Sequence, residues 1–242
     1  MTFSPLTSPD SVVHWSRLAA RGEGATTFLQ GQLSCDVISL APRECVAGLL
    51  LAPTGDVITS LVCQSSPEGI DLVVRQEIAG DALTALRRFL LRTKCDFLLD
   101  DDVPGPYASV TEQVRLGEPG PAEFSRHLSA HSFGMDFVAR HVSFTKGCFT
   151  GQELVGRLDA RGGNVPFRLA RVSGEDLDEM ENVVRSAGPS GERGLQGLTT
   201  IAAADSYSAL AVVHRTLLGD ALEGQFGGVR VELLHETSTT ED

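Results

Sequence analysis

The chain has few cysteines, and none of them is placed as a metal ligand would be. Five occur in 242 residues, and no two of them form a C-x-x-C pair. Zinc sites and iron–sulfur clusters need closely spaced ligands, and disulfide frameworks need paired cysteines. The sequence therefore predicts no metal site and no disulfide scaffold. The predicted free thiols are Cys35, Cys45, Cys63, Cys95 and Cys148.

Long apolar runs are also lacking. A membrane-spanning helix needs about 18 or more consecutive apolar residues, and the chain has no such stretch. Residues 1–5 lack the basic and apolar regions of a secretory signal. We therefore expect a cytoplasmic protein that does not associate with membranes.

Basic residues are scarce, with 20 Lys and Arg against 32 Asp and Glu, for a formal charge of −12. Such a surface repels phosphate backbones, so we expect no direct, tight binding of nucleic acid. A local basic patch remains possible.

Two groups of residues resemble metal ligands without meeting the spacing that metals require. The aspartates Asp100 to Asp102 are adjacent rather than alternating, so a solvated turn is favoured over a calcium loop. His127, His131 and His141 lack the glutamate of a zincin pattern. We predict ordinary surface histidines.

The patterns that are present predict a mixed α+β protein. Two β-rich runs, 44–51 and 57–63, flank the turn Ala52-Pro53-Thr54-Gly55 and predict a hairpin. Helical spacing occurs at 24–33 and 78–91.

From Arg168 onward the chain reads as short strands, including one at 182–186 after an acidic loop at 175–181. This rhythm favours a small antiparallel β-barrel or sandwich. We predict an α+β body over 1–165, made of two interleaved lobes, and a β-barrel over 166–242 with a disordered acidic tail.

The residues with the clearest chemistry lie at 146–157. Thr150 followed by Glu153 predicts a capping box and a helix that begins near Gly151. Cys148 then precedes a helix N-terminus, with Lys146 two residues away, and both favour the thiolate. We predict Cys148 and Lys146 as the reactive pair. The alternative is a buried structural cysteine in an ordinary turn.

The same segment could bind an anion. Gly147 and Gly151 leave bare backbone N–H groups beside the sulfur, which could hold a carboxylate or phosphate oxygen. The segment 140–171 contains only two acidic residues, Glu153 and Asp159. Its six basic residues are Arg140, Lys146, Arg157, Arg161, Arg168 and Arg171.

Two motifs carry a family resemblance. Lys-Gly-Cys-Phe-Thr-Gly-Gln-Glu at 146–153 resembles the Lys-Gly-Cys-Tyr-x-Gly-Gln-Glu signature of the YgfZ folate-binding family, which is related to the glycine-cleavage T-protein, an aminomethyltransferase. Phe149 replaces the usual tyrosine, so a role of its hydroxyl cannot be transferred. The run 28–37 is similar to the family's Phe-Leu-Gln-Gly-Gln-Leu-Thr-Asn-Asp-Val pattern, with Ser34 and Cys35 as departures.

The resemblance implies a ring of three lobes around a central channel that binds a reduced folate, tetrahydrofolate or a derivative, and ends in a β-barrel. Arg157 or Arg161 would meet the folate glutamate tail, and Gln30 or Gln32 the pterin. The alternative is that the arginines only pair with Glu153 and Asp159. The further cofactor-binding candidates from the signature are Gly147, Gly151, Gln152 and Glu153.

The resemblance also implies function. In the aminomethyltransferases a carboxylate pair follows the hairpin turn, but the matching positions here are Thr59 and Ser60, which cannot hold a negative charge at neutral pH. The chain thus resembles the YgfZ branch: a folate-binding factor that supports iron–sulfur cluster assembly or repair in client enzymes, including tRNA-modifying ones. The alternative is a tetrahydrofolate-dependent one-carbon transferase that uses Asp56, Asp36 or Glu153 as its acid.

Overall fold

Two five-stranded antiparallel sheets form the frame of the protein in the computed structural model, which describes residues 11–186, 197–203, 206–219 and 223–235. The strands are β1 (Trp15–Arg21), β2 (Cys45–Leu51), β3 (Val57–Ser66), β4 (Gly69–Arg75), β5 (Asp96–Asp100), β6 (Phe167–Gly174), β7 (Gly197–Ala203), β8 (Ser206–His214), β9 (Glu223–Phe226) and β10 (Val229–Leu233). The helices are α1 (Ala25–Gln32), α2 (Gln76–Arg87), α3 (Val110–Leu116), α4 (Pro121–Phe124), α5 (Met135–His141), α6 (Gln152–Asp159) and α7 (Leu177–Ser186), with a 3₁₀ helix at Ala130–Phe133. The mixed α+β prediction is confirmed.

The first sheet has the strand order β2-β3-β4-β1-β5. Its β2–β3 hairpin follows the predicted turn: the N–H of Gly55 donates to the carbonyl of Ala52 at 2.8 Å. Gly55 has a φ of 91°, which favours glycine because it has no Cβ. The turn chemistry of the sequence is sufficient to specify this hairpin.

A hydrophobic cluster joins α1 and α2 to one face of the first sheet. Its members include Leu29 and Leu33 of the α1 region, Leu86 of α2 and Leu72 of β4, all fully buried. Burial of a leucine side chain contributes about 1.5–3 kcal/mol, so this cluster fixes α1 firmly on the sheet.

The middle of the chain lies between the two sheets. Helix α4 contacts β3 and β8, α5 contacts β2, and the 3₁₀ helix contacts β6 and α6. A second hydrophobic cluster, which includes Phe133 and Phe137, continues from β2 and β3 into β6, β8 and β10. The division at residue 165 stays a prediction, because the two sheets share this cluster.

The second sheet has the order β7-β8-β6-β10-β9, so β7 and β9 lie at its opposite edges. Over the residues that the structure describes, it is an open sheet and not the predicted closed barrel. Closure would require β7 to hydrogen-bond with β9. The three-lobed ring and its channel stay predictions, and the predicted tail at 236–242 lies outside the described residues.

Two predicted elements are wrong. The acidic stretch 175–181 is not a loop, because α7 begins at Leu177 and leaves only Glu175 and Asp176 outside it, and 182–186 is not a strand, because it belongs to the same helix. Met180 on this helix is fully buried against the second sheet, so one apolar face is enough to fix an otherwise acidic helix. Residues 142–144 begin the loop that carries the candidate site.

Candidate functional site

The two segments that carry the family resemblance lie against each other. The loop 142–151, here called the signature loop, is joined to the end of α1 at both of its ends. The N–H of Ser143 donates to the carbonyl of Ser34 at 2.9 Å, and the N–H of Thr150 donates to the carbonyl of Gly31 at 3.0 Å. More than 100 residues apart in sequence, the two motifs therefore build one site.

Lys146 fixes the middle of the signature loop. Its Nζ donates to three carbonyl oxygens, those of Gln30 (2.6 Å), Leu33 (2.6 Å) and Cys35 (2.8 Å). The last carbonyls of a helix have no partner within the helix, and a cation there is also favoured by the helix dipole. Burial lowers the pKa of Lys146, while the nearby Cys35 and Asp36 oppose that effect.

The three hydrogen bonds of Lys146 limit how it can act on the thiol of Cys148. An ammonium has three N–H donors, and three carbonyls accept from it. No donor remains for the sulfur of Cys148, although the charge still acts at a distance. The Nζ also lies 5.2 Å from the centre of the Phe149 ring, which allows a cation–π contact. The activation of Cys148 by Lys146 stays a prediction.

Cys148 is exposed to solvent, and so is Gly147 beside it. The interpretation of Cys148 as a buried structural cysteine is therefore wrong. Its neighbours Lys146 and Thr150 are both anchored to the α1 region, so the backbone is held on each side of an accessible thiol. Such a thiol can reach another molecule without local unfolding.

The predicted capping box is wrong, although α6 begins one residue after Gly151 as expected. The N-cap is Gly151, with a φ of 80° and no side-chain cap. The Thr150 hydroxyl instead donates to Oε1 of Gln32 at 3.1 Å, and Glu153 is exposed. The contact with α1 has replaced the local contact that the sequence pattern predicted.

Glycine is required at position 151 for a second reason. A Cβ there would lie 2.7 Å from the carbonyl oxygen of Ala52 and 3.2 Å from the Cα of Gly55. The signature loop thus packs directly on the β2–β3 turn. This contact joins the loop to the first sheet.

A cavity of about 460 Å³ opens beside the signature loop. Its lining includes the cofactor candidates Gln152, Glu153 and Arg157 together with Lys146 and the ring of Phe149. The remaining lining residues are Ser143, Phe144, Val155 and Gly156. Ligand pockets commonly range from about 300 to 1,000 Å³, so a pterin-sized group fits this volume.

The two candidate arginines are exposed. Among the described residues, neither Arg157 nor Arg161 forms an ion pair with Glu153 or Asp159. The alternative that they only pair along the helix is therefore not supported. Arg157 lies on the cavity, whereas Arg161 follows the end of α6.

The two candidate glutamines differ in availability. Gln30 uses both ends of its carboxamide within the protein: Nε2 donates to Asp36 at 2.9 Å, and Oε1 accepts from the N–H of Val37 at 2.9 Å. Gln32 accepts from Thr150, and in the described part of the chain its amide nitrogen has no protein partner. Gln32 is thus the better placed of the two for a ligand.

Two of the three possible acids of a transferase, Asp36 and Asp56, have other partners. A hydrogen bond from Ser39 and further bonds from Gln30 and backbone N–H groups lower the pKa of Asp36 against the opposing effect of burial. Asp56 accepts from the hydroxyl of Thr54 at 2.8 Å. Thr59 is fully buried and donates to the carbonyl of Ser60 at 2.8 Å. None of these groups lines the cavity beside the signature loop, whereas Glu153, the third possible acid, does.

One residue of the site was missed by the sequence analysis. Ser34, fully buried, donates its hydroxyl to the carbonyl of His141 at 2.6 Å and accepts from the N–H of Leu49 at 2.8 Å. It therefore joins α1, α5 and β2 below the signature loop. Its position in the first motif, where it departs from the family pattern, was the available signal.

The prediction of surface histidines is wrong for two of the three. His127 is exposed, but His131 is fully buried and His141 is 6% exposed. His131 lies 3.9 Å from Asp159 of α6, and neither of its ring nitrogens has a hydrogen-bond partner. Burial lowers its pKa, opposed by the attraction of Asp159.

A second, larger cavity of about 810 Å³ lies beside α2 and was not predicted. Charged residues of both signs line it, among them Glu77, Asp81, Arg87 and Arg88. It is separate in its lining from the cavity at the signature loop. Any ligand-binding experiment must therefore distinguish the two.

The described helices do not include one with both the length and the apolar character needed to cross a membrane.

No protein-family model matches the chain. Similar proteins are nevertheless found by sequence. A tRNA-modifying protein YgfZ from Aliivibrio fischeri is 22% identical over 84% of this chain and 84% of its own length. An uncharacterized protein from Haemophilus influenzae is 24% identical over 64% of this chain and 69% of its own length.

The fold has a solved neighbour. The glycine cleavage system aminomethyltransferase T from Bartonella henselae matches 91% of this chain and 82% of its own, with a TM-score of 0.57 and 13% sequence identity. At that identity the match establishes the fold alone. Together, the curated relatives and the fold confirm the resemblance read from the two motifs: this chain is similar to the YgfZ proteins and has a fold like that of the glycine-cleavage aminomethyltransferase.

Proposed function

We propose that this protein is a folate-binding accessory factor that supports iron–sulfur cluster assembly or repair in client enzymes, including enzymes that modify tRNA. One observation carries the proposal: the two family motifs lie against each other, and the second motif lines a cavity next to an exposed cysteine whose neighbours are anchored to the first. The Aliivibrio relatives are named tRNA-modifying proteins, which supports the choice of clients.

The cavity suits a reduced folate in its chemistry. Phe149 provides an aromatic face for a pterin, Gln152 and the nearby Gln32 provide donor and acceptor groups, and Arg157 provides a charge for the glutamate tail. The predicted N–H groups of Gly147 and Gly151 and the side chains of Glu153 and Arg161 complete the proposed contacts. Tetrahydrofolate or a derivative would be held there, and Cys148 would face the partner.

Isothermal titration with tetrahydrofolate tests the binding site. We expect Arg157→Gln to weaken binding by about tenfold, which corresponds to the loss of one charge-assisted contact of about 1.4 kcal/mol. Arg88→Gln is the matched control because it lines the other cavity. If only the control variant loses affinity, folate binds beside α2 and the proposed site is wrong.

Genetic rescue tests the factor itself. In cells that lack the protein, iron–sulfur enzyme activities should return with the wild type and not with Cys148→Ser, because serine keeps the shape but forms no thiolate. The Ser variant should still bind folate. Turnover of an aminomethyl donor with tetrahydrofolate would instead favour the one-carbon transferase, and full rescue by the Ser variant would refute the role of the thiol.

A further inference from the structure

Two buried thiols lie together below the signature loop. The sulfurs of Cys35 and Cys63 are 3.6 Å apart, although the residues are 28 positions apart in sequence. Cys35 follows α1 and is 2% exposed, and Cys63 lies in β3 and is fully buried. The pair belongs to the hydrophobic cluster between α1 and the first sheet.

A glycine makes room for this approach. Gly48 of β2 faces Cys35, and a Cβ at this position would lie 2.4 Å from the Cys35 sulfur. In the sheet register, Gly48 pairs with Leu61 and Val46 pairs with Cys63, so Gly48 and Cys63 lie on one face of the hairpin. Glycine at 48 therefore lets the side chain of Cys35 lie over β2, next to Cys63.

The pair distinguishes this chain from the pattern that its first motif resembles. Cys35 is one of the two departures from that pattern in the run 28–37. Within the described residues, Cys35 and Cys63 are also the two cysteines whose sulfurs are within hydrogen-bonding distance of each other. The feature is thus a property of this sequence and does not follow from the family resemblance.

The two thiols are electrostatically unequal. A hydrogen bond from Cys63 and the charge of Lys146 lower the pKa of Cys35, against the effect of burial. Burial and the neighbouring Cys35 raise the pKa of Cys63. Of the two thiols, Cys35 therefore loses its proton more readily and Cys63 keeps it, which is the division of roles that a two-step oxidation needs.

We propose that Cys35 and Cys63 are a reversible oxidation site, which a peroxide converts to a disulfide. The Cys35 thiolate attacks one peroxide oxygen, the O–O bond breaks, and a sulfenic acid and hydroxide form. The Cys63 sulfur then attacks the sulfenic sulfur, an S–S bond forms, and the oxygen leaves as water after taking up a proton. In sum, two thiols are oxidised and one hydrogen peroxide is reduced to two waters.

Oxidation would be transmitted to the signature loop through Lys146. The carbonyl of Cys35 is one of the three acceptors of its Nζ. An S–S bond is about 2.05 Å long, so the two sulfurs, now 3.6 Å apart, must approach by roughly 1.5 Å. Movement of Cys35 toward Cys63 strains the Lys146 contact and loosens the loop. This inference does not depend on the proposed function.

Differential alkylation of the full chain tests the site. The protein is treated with hydrogen peroxide, denatured, and its free thiols are blocked with N-ethylmaleimide. It is then reduced, labelled with iodoacetamide and mapped by peptide mass spectrometry. We expect the second label on Cys35 and Cys63 in equal amounts, with recovery of both thiols when dithiothreitol precedes the block.

Two variants make the result specific. In Cys63→Ser the sulfenic acid at Cys35 has no thiol partner to condense with, so dimedone present during the peroxide treatment should form an adduct at Cys35. That adduct withstands the reduction step and keeps Cys35 from taking the second label. Cys95→Ser is the control, since Cys95 is also buried but has no described thiol partner, and the pair should still form. A second label that is absent, or that falls on Cys45 and Cys148, would overturn the proposal.

Hydrogen exchange tests the connection to the loop. In the oxidised wild type, the amides of the signature loop should exchange several-fold faster than in the reduced protein, while those of the second sheet should not change. A disulfide that forms without any change in the loop would overturn the transmission through Lys146 and leave the oxidation site intact.

Discussion

Replacement of Lys146 by methionine offers the sharpest test of how the site is built. The substitution keeps an unbranched apolar stem and removes the ammonium that donates to the carbonyls of Gln30, Leu33 and Cys35. Those carbonyls lie at the end of α1, where the helix provides no partners for them. The variant should therefore lose stability even though Lys146 lies in a loop.

The expected loss of stability combines the hydrogen bonds that are removed with two effects that make the loss smaller. Three hydrogen bonds at about 1 kcal/mol net each would contribute about 3 kcal/mol. Burial of the ammonium opposes this, as the lowered pKa of Lys146 indicates, and water can reach part of the carbonyls in the variant. We therefore expect a loss of about 2 kcal/mol in the free energy of unfolding.

Urea unfolding followed by circular dichroism measures the loss. The chain contains one other lysine, Lys94, whose exposed ion pair with Glu23 makes Lys94→Met a matched control. An exposed pair contributes about 0.2–1 kcal/mol, so the control should change little. If Lys146→Met is no less stable than Lys94→Met, the three hydrogen bonds of Lys146 do not stabilise the fold and the reasoning from them is wrong.

Three further predictions concern the surroundings of the site. Ser34→Ala should cost about 2 kcal/mol in urea unfolding, because the buried N–H of Leu49 and the carbonyl of His141 both lose their partner, and a cost near zero would contradict this. Gly55→Ala should lower the melting temperature, since its Cβ would lie 2.4 Å from that of Leu154, whereas Gly156→Ala in open space should not lower it. His131 binds its proton less readily in the folded protein, so its contribution to folding stability should be fully present above about pH 6.5 and should be lost as the pH falls below that value. His131→Phe should make the melting temperature depend less on pH in this range. The exposed control His127→Asn should leave the pH dependence unchanged.

Local chemistry explains which elements the sequence predicted. The β2–β3 hairpin depends on a four-residue turn, and α1 depends on apolar spacing, so both can be read from adjacent residues. By contrast, α7 was read as a loop and a strand because its first turn is rich in acidic residues. The helix is stabilised by the burial of Met180, with Leu177 and Val183 beside it, against the cluster of the second sheet, and such a tertiary contact is not visible in the sequence.

The sequence grouped the candidate residues in one motif but did not predict the contacts that hold them. The motif at 146–153 identified Cys148, and the structure places Lys146, Gln152, Glu153 and Arg157 at one cavity. The pattern at Thr150 and Glu153 predicted a local cap, whereas Thr150 bonds to Gln32 across more than 100 residues. Sequence spacing detects local pairs, and a tertiary contact of comparable strength replaced this one.

In the signature loop, the residues that hold the loop in place differ from the residue that carries the reactive group. Its anchors are Ser143, Lys146 and Thr150, which bond to the α1 region, whereas Cys148 between them is exposed. Ser143 and Thr150 are held through backbone N–H groups that a side-chain substitution retains, but substitution of Lys146 leaves carbonyls of the α1 region without their partner and so lowers stability. Substitution of Cys148 removes a sulfur that already faces water. Loss of function in a Lys146 variant therefore has two causes to separate, misfolding and lost chemistry. Loss of function in Cys148→Ser has one, and this makes Cys148 the position at which the role of the thiol can be tested without disturbing the fold.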